Sequence, residues 1–540
     1  MASSTSLSIP DETLTNLISY LKAHKITHSP ALCFRRMPGR GIGVFTKDSI
    51  PAGTRIFHVP TAALFTTSSI PFSFASKDLR PKIPVHALLA AYLTFGITQE
   101  RAKQMHGWTA TWPTWDDFSA SMPVFWPPST RTEIFIECSP ATESAGAANQ
   151  HHFFALPPTL TGTQDSPSDS MSTGNPSYVP LLDAQLAKLS GHIENTATLF
   201  PGHSTSLRDP QSAIHKAYLY NWANINTRCF YHVAAGKRPP RDSNEAMALC
   251  PGMDLFNHSD SATCHTSYDR KGFYVSTRVD IAPDSELLLS YGAHGNDLLW
   301  SEYGFAMDPN RDDHVQFDHV VLATLSQSDK KVLSDTGYLG NYTLNSSGIC
   351  WRTEVVSWLG ILTSTQWHRF LQGKLDPQAL DRAFSDNVHR DAGKRRKGNQ
   401  GHVASDKNNS VDELMPSTKV KKRQIAWLAE ITRRAEDSIN GLLILSDPSF
   451  HDQMMRIFSE QQSTSAHGRG TGANVQKRTT TIELARLRLC MTRWMQILEM
   501  SHKAVLHLYS TLPGQDVEAS AASLKMELLR QRCHEVMQHG

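Results

Sequence analysis

The period of apolar residues changes several times along this chain. Between Asp11 and His24, the residues Leu14, Leu17, Ile18 and Leu21 recur at helical spacing, which predicts a short amphipathic helix with Asp11 as its cap. From Pro30 to Pro60 the apolar positions contract into β-prone runs, Val44-Phe45 and Ile56-Phe57 with Val59. The turn signal Pro51-Ala52-Gly53 lies between them, so antiparallel hairpins are expected. Helical periodicity returns over His86–Gly96 and Ser212–Phe230. Strand-like runs follow at Gly272–Val279 and Glu286–Ser290, then a helical turn at Asp297–Tyr303. Beyond Val320 the pattern is helical, around Arg352–Leu362, Ala426–Leu445 and Thr481–Tyr509, and no fixed-period repeat is present.

These runs predict an α+β chain: a helical segment at 1–28, a β core at 29–320 split by a helical insertion over about 80–235, and an all-α region at 321–540. Residues 139–180 are rich in Ser, Thr, Pro, Gly and Ala, and 387–418 and 461–478 are polar and of low complexity. All three stretches are expected to be disordered or loosely ordered insertions.

Composition narrows the class. The chain has 540 residues, 40% hydrophobic and 19% charged, enough to bury a sizeable core. Its net charge of +2 gives no whole-chain argument for nucleic acid, and direct nucleic-acid binding is not expected. None of the eight cysteines forms a C-x-x-C pair, which argues against a zinc ribbon, and their sparseness argues against a disulfide framework. The first ten residues lack an apolar core of signal-peptide length, and no run approaches 18 apolar residues. The expected location is therefore cytoplasmic or nuclear, with no membrane span. Two basic clusters, Lys394–Lys397 and Lys419–Arg423, read as a nuclear signal, a contact for an acidic or RNA-bearing partner, or a solvated insertion. The scattered histidines, His151-His152 included, lack metal-ligand spacing, and no metal site is expected.

Three segments carry candidate chemistry. Gly39-Arg40-Gly41-Ile42-Gly43 is G-x-G-x-G, not a dinucleotide fingerprint, and leads into strand–turn–strand rather than a helix. Its glycines would let a strand backbone approach a ligand. Asp254-Leu255-Phe256-Asn257-His258-Ser259 could orient a cofactor or cap a turn. Tyr291-Gly292 and Tyr303-Gly304-Phe305 set two tyrosines twelve residues apart. Taken singly, each reads as ordinary structure: a bulge, a turn, packed rings.

In combination and order the three segments resemble the SET-domain methyltransferases, and most of all the subfamily typified by the Rubisco large-subunit lysine methyltransferase. Tyr220-x-Trp222-Ala223…Arg228-x-Phe230 resembles the helix that precedes the family's Asn-His pair. Gly107-Trp108 to Trp126, with Met122-Pro123, resembles the subfamily's insert. The motifs cover about 60–80 residues, while the architecture, with its C-terminal helical substrate-binding domain, corresponds over the whole chain. No post-SET cysteine cluster is present, which fits a non-histone enzyme.

The resemblance implies a protein-lysine N-methyltransferase using S-adenosyl-L-methionine on a non-histone target such as a ribosomal or translation protein. That target would dock on the β core and the helical domain. A histidine methyltransferase and a non-catalytic interaction module remain alternatives. By resemblance, Arg40, Gly41 and Ile42 would line the methionine part of the cofactor, with Arg228 near its carboxylate. Asp254, Asn257 and His258 would form the polar cradle, and Phe305 would cover the adenine. Tyr291 would stand beside the transferred methyl as both catalytic and cofactor-binding residue, and Tyr303, also catalytic, would line the lysine channel. The chain departs from the plant enzymes at Arg40, where they carry an acid, at Thr227, which replaces a serine, and in a spacing between the tyrosines one residue shorter.

Overall fold

The computed structural model describes residues 11–137, 150–162, 179–234, 236–376, 379–383, 385, 415–458, 472–512 and 519–539. The chain forms two compact units: residues 1–125 with 182–312, and residues 126–181 with 313–540. Among the described residues, no helix is long and apolar enough to cross a membrane.

The first unit begins with the helix Glu12–Ala23, capped by Asp11, whose carboxylate accepts from Thr13 N at 3.0 Å. Leu17 and Leu21 are buried as their spacing predicts, but Ile18 is 51% exposed and Tyr20 takes its place in the core. Strands β1 (Thr27–His28), β2 (Leu32–Met37), β3 (Gly41–Thr46) and β4 (Arg55–Pro60) follow. β2 and β3 form the expected antiparallel hairpin. β4 does not continue it. It joins a four-stranded antiparallel sheet between β1 and Gly272–Thr277, whose other neighbour is Cys264–Asp269.

The helix Ala213–Arg228 buries Tyr218, Trp222 and Ile225, spaced four and three residues apart, and so aims its last residue, Arg228, at the β region. Glu286–Ser290 is not a regular strand. Its backbone bonds are shared among separate segments: Leu287 N donates to Val44 O at 2.8 Å, Leu289 N to Asn257 O at 2.9 Å, and Ser259 N to Leu289 O at 2.9 Å. The resulting bridges are antiparallel for Phe45–Glu286 and parallel for His258–Leu289.

In the second unit, the helices Pro416–Ser446 and Gly472–Ser510 pack on each other, and Ala519–His539 packs on both. A buried ion pair, Arg493–Asp313 at 2.7 Å, ties the second of these to the start of this unit's helical region. Part of the stretch expected to be loose is ordered. Gln150–Phe154 pairs with Glu133–Glu137, Pro158–Thr161 is helical, and Phe153, Leu156 and Leu160 are buried. Four apolar side chains within eight residues (Phe153, Phe154, Leu156 and Leu160) outweigh the polar composition of their surroundings. Likewise, residues 416–418 and 472–478 belong to the two long helices. Residues 139–149, 163–178, 387–414 and 461–471, and with them the cluster Lys394–Lys397, lie outside the described residues.

Candidate functional site

Every candidate site residue falls in the first unit. At the centre is Tyr291. Its hydroxyl donates to Phe256 O at 2.8 Å, and its backbone N donates to His258 Nδ1 at 3.0 Å. His258 is buried, and that burial holds its pKa below the ordinary imidazole range, so the ring is neutral near pH 7. Since Nδ1 accepts, the proton sits on Nε2.

The rings converge. Tyr291 lies 5.1 Å from His258 and 5.1 Å from Tyr303, and Phe305 lies 6.1 Å from His258 and 6.3 Å from Tyr303 (centroid distances). Tyr303 ends the helix Asn296–Tyr303, and Gly304 at φ 81° reverses the chain so that Phe305 turns back beside it. Asn296 clasps this turn, donating to Met307 O at 2.9 Å and accepting from Met307 N at 3.0 Å. Burial pushes the Tyr303 phenol up to about 12 and raises that of Tyr291 further, so both stay protonated at neutral pH.

Arg228 and Asp254 form the second group. Arg228 Nη1 donates to Asp254 O at 3.0 Å and lies 3.3 Å from its Oδ2. Trp108 Nε1 donates to the same oxygen at 3.0 Å, and Gly252 N to Oδ1 at 3.0 Å. Burial pushes the Asp254 carboxyl up, and Arg228 and the other donors oppose that shift. Asp254 therefore braces Arg228 from behind. Arg228 Nε is buried and has no hydrogen-bond partner.

The third group surrounds the glycine run. Gly41 and Ile42 open β3, and Arg40 stands in the turn before it. Asn257 Nδ2 donates to Glu286 Oε1 at 2.7 Å, while Arg40 Nη2 lies 3.3 Å from Glu286 Oε2. A Cβ on Gly43 would stand 2.8 Å from Glu286 Oε1 and 3.1 Å from Asn257 Nδ2. Gly43, the last glycine of the run, is thus required by the close approach of those two side chains.

The contacts above gather the candidates into three groups: His258, Tyr291, Tyr303 and Phe305; Arg228 with Asp254; and Asn257 with Arg40 through Glu286, beside the strand that Gly41 and Ile42 open. The charges of Arg228, Asp254 and Glu286 all act on the Tyr291 phenol. Sequence reasoning did not assign a role to Glu286, or to Trp108 as the indole behind Asp254. Glu286 was hidden in an apparent strand, and only its partners reveal it. Elsewhere, in the second unit, Lys421 donates to Thr511 O and Arg423 to Ser357 O and Leu359 O, so two of the basic residues at 419–423 are bound to backbone carbonyls. His152 lies 3.1 Å from Glu133 across a strand pair. Among the described residues, no group of three or more His, Cys, Asp or Glu is placed to hold a metal ion.

Residues 41–292 match the SET domain. The human protein named SET domain-containing protein 4 is 24% identical over 377 residues, covering 66% of this chain and 75% of that protein. The ribosomal lysine N-methyltransferase set11 of Schizosaccharomyces pombe is 30% identical over 138 residues, covering 26% of this chain and 35% of its own length. A solved structure of Rubisco LSMT bound to AdoMet aligns over 96% of this chain and 99% of that one, at 11% identity and a TM-score of 0.45.

Proposed function

Because this chain is a SET-domain protein, of the family of lysine methyltransferases, we propose that it transfers a methyl group from S-adenosyl-L-methionine to lysine side chains of a non-histone protein, a ribosomal or translation protein in particular. The observation that carries the reading is the convergence of His258, Tyr291, Tyr303 and Phe305, with Asn257 adjoining His258 and the Arg228 charge acting on the Tyr291 phenol, residues drawn from three distant stretches of sequence. For the target class, support comes from the ribosomal lysine methyltransferase among the relatives.

The residues fit the cofactor. The unpartnered, buried Nε of Arg228 is a donor suited to a carboxylate. Asn257 has an amide oxygen to spare, because its Nδ2 is taken by Glu286. Gly43 leaves that pair room beside the strand. In this reading Arg228 holds the cofactor carboxylate, Asn257 its ammonium, His258 and Phe305 the adenine, and the backbone of Arg40, Gly41 and Ile42 the thioether chain. When bound, S-adenosylmethionine supplies an electrophilic methyl on a sulfonium.

The chain's own residues do the rest. The Tyr291 hydroxyl spends its proton on Phe256 O, so its oxygen presents lone pairs to a neighbouring donor. With its pKa raised by burial it orients rather than titrates. Tyr291, Tyr303 and Phe305 wall off water, and a lysine amine entering among them is pushed toward its neutral, nucleophilic form, giving its proton to bulk solvent on entry. Holding that amine in line can supply about 7–11 kcal/mol of the barrier.

The test is incubation with methyl-labelled S-adenosylmethionine and a ribosome-enriched lysate, followed by mass spectrometry, with Tyr291→Phe as control. Label on lysine of a translation protein, dependent on Tyr291, is expected. Label on histidine would reassign the acceptor, and cofactor binding with no transfer to any protein would make the chain an interaction module.

A further inference from the structure

Glu286 is a carboxylate with its side chain only 13% exposed, placed beside the glycine strand by the Phe45–Glu286 bridge. One oxygen accepts from Asn257 Nδ2 at 2.7 Å, and the other lies 3.3 Å from Arg40 Nη2. Gly43 has no Cβ to separate these groups. An ionised carboxylate only accepts hydrogen bonds, whereas an asparagine amide has a donating and an accepting end. Glu286 therefore fixes which end of Asn257 faces it. The accepting end, Oδ1, is left on the opposite side and takes no hydrogen bond from the described residues.

We infer that Glu286 is a positioning residue that locks the Asn257 amide with its oxygen outward, so that the site selects ligands bearing an ammonium group at that point. The inference rests on the S-adenosylmethionine reading above and adds to it a residue that touches no ligand. Arg40 contributes by occupying the second carboxylate oxygen, which leaves Asn257 a single acceptor to bond. Glutamine at 286 has nearly the same shape but can present either NH2 or C=O. In that variant Asn257 is free to flip, and an acceptor is no longer guaranteed at the ligand.

The test is a cycle between one residue and one ligand group, read by calorimetry on the full chain. The ligands are S-adenosylhomocysteine and its analogue with hydrogen in place of the α-ammonium and the carboxylate retained. Wild type is expected to prefer S-adenosylhomocysteine by about tenfold or more, the scale of one charge-assisted hydrogen bond. Glu286→Gln is expected to weaken S-adenosylhomocysteine by about tenfold while changing the analogue by less than about threefold, so the preference collapses. A variant that keeps the full preference overturns the inference. So does one that loses both ligands equally, as general damage to the fold would cause. Wild type that binds neither ligand removes the S-adenosylmethionine reading itself, a result separate from either of these.

Discussion

The Tyr291 hydroxyl bonds the carbonyl of Phe256 at 2.8 Å, one residue before Asn257 and two before His258. The tyrosine proposed for the methyl and the pair proposed for the cofactor are thus held by the same short stretch of backbone. Tyr291→Phe keeps the tilted ring contacts with His258 and Tyr303 but leaves Phe256 O without this donor. The expected loss is at least about tenfold in kcat, with cofactor Kd changed less than about threefold and stability lowered by about 1 kcal/mol. Single-turnover kinetics beside calorimetry separate the two effects, and an unchanged kcat would remove Tyr291 from the chemistry.

Gly43→Ala puts a methyl group 2.8 Å from Glu286 Oε1 and 3.1 Å from Asn257 Nδ2. Both must move, at a cost of about 1–3 kcal/mol. Cofactor affinity is expected to fall by about tenfold or more. Equal affinity in Gly43→Ala and wild type would show that the glycine strand does not shape the site.

Asp254→Ala takes from Arg228 the carboxylate that braces it and leaves the guanidinium charge buried against a single carbonyl. Breaking a buried pair in this way costs about 3–5 kcal/mol. The urea midpoint is expected to fall accordingly, and Asp254→Asn, which keeps one accepting oxygen but turns an NH2 toward the other donor, to fall less. A midpoint within error of wild type for the alanine variant would contradict the bracing role.

The two phenols bear on the pH profile. With Tyr303 at about 12 and Tyr291 above its ordinary value, neither ionises as activity rises from about pH 7 toward the ordinary lysine value near 10.4. That limb belongs to the substrate amine, so Tyr303→Phe is expected to lower its height without moving its midpoint. A displaced midpoint would assign the ionisation to the tyrosine.

Acid stability has a separate marker in the second unit. Hydrogen bonds from Arg433 and Arg434 hold the Glu430 carboxyl down to about 2, from an ordinary 4.5. A folded-state pKa below the unfolded one contributes stability that is complete above pH 4.5 and is lost as pH falls toward 2. Glu430 is solvent-accessible, so the worth is at most about 1 kcal/mol. Glu430→Gln should lower the melting temperature at pH 7 and converge with wild type by pH 2, and a gap that persists in acid would point to packing instead.

Much of this was legible in the sequence because helices and hairpins are local. The spacing of Leu14, Leu17 and Leu21 sufficed for the first helix, and Asp11 marked its start. The motifs that resemble those of SET domains picked out the candidate site residues individually. What the sequence hid is non-local. Glu286–Ser290 alternates little and reads as a strand, yet its partners are three separate segments, and no local pattern encodes such sharing. Glu286 was overlooked for the same reason: a carboxylate among leucines has no meaning until Asn257 and Arg40 stand beside it. Residues 150–161 were misread because composition averaged over forty residues concealed a short apolar cluster.

The bridge between Phe45 and Glu286 also has a consequence for synthesis. About 240 residues separate the two, so a ribosome adding 5–20 residues per second takes roughly 12–50 s to deliver the second after the first. Through that interval β3 has only β2 to pair with, and the glycine strand waits with one edge unsatisfied. Closing so long a loop comes late in folding, so the pocket is the last part of the first unit that a nascent chain can finish.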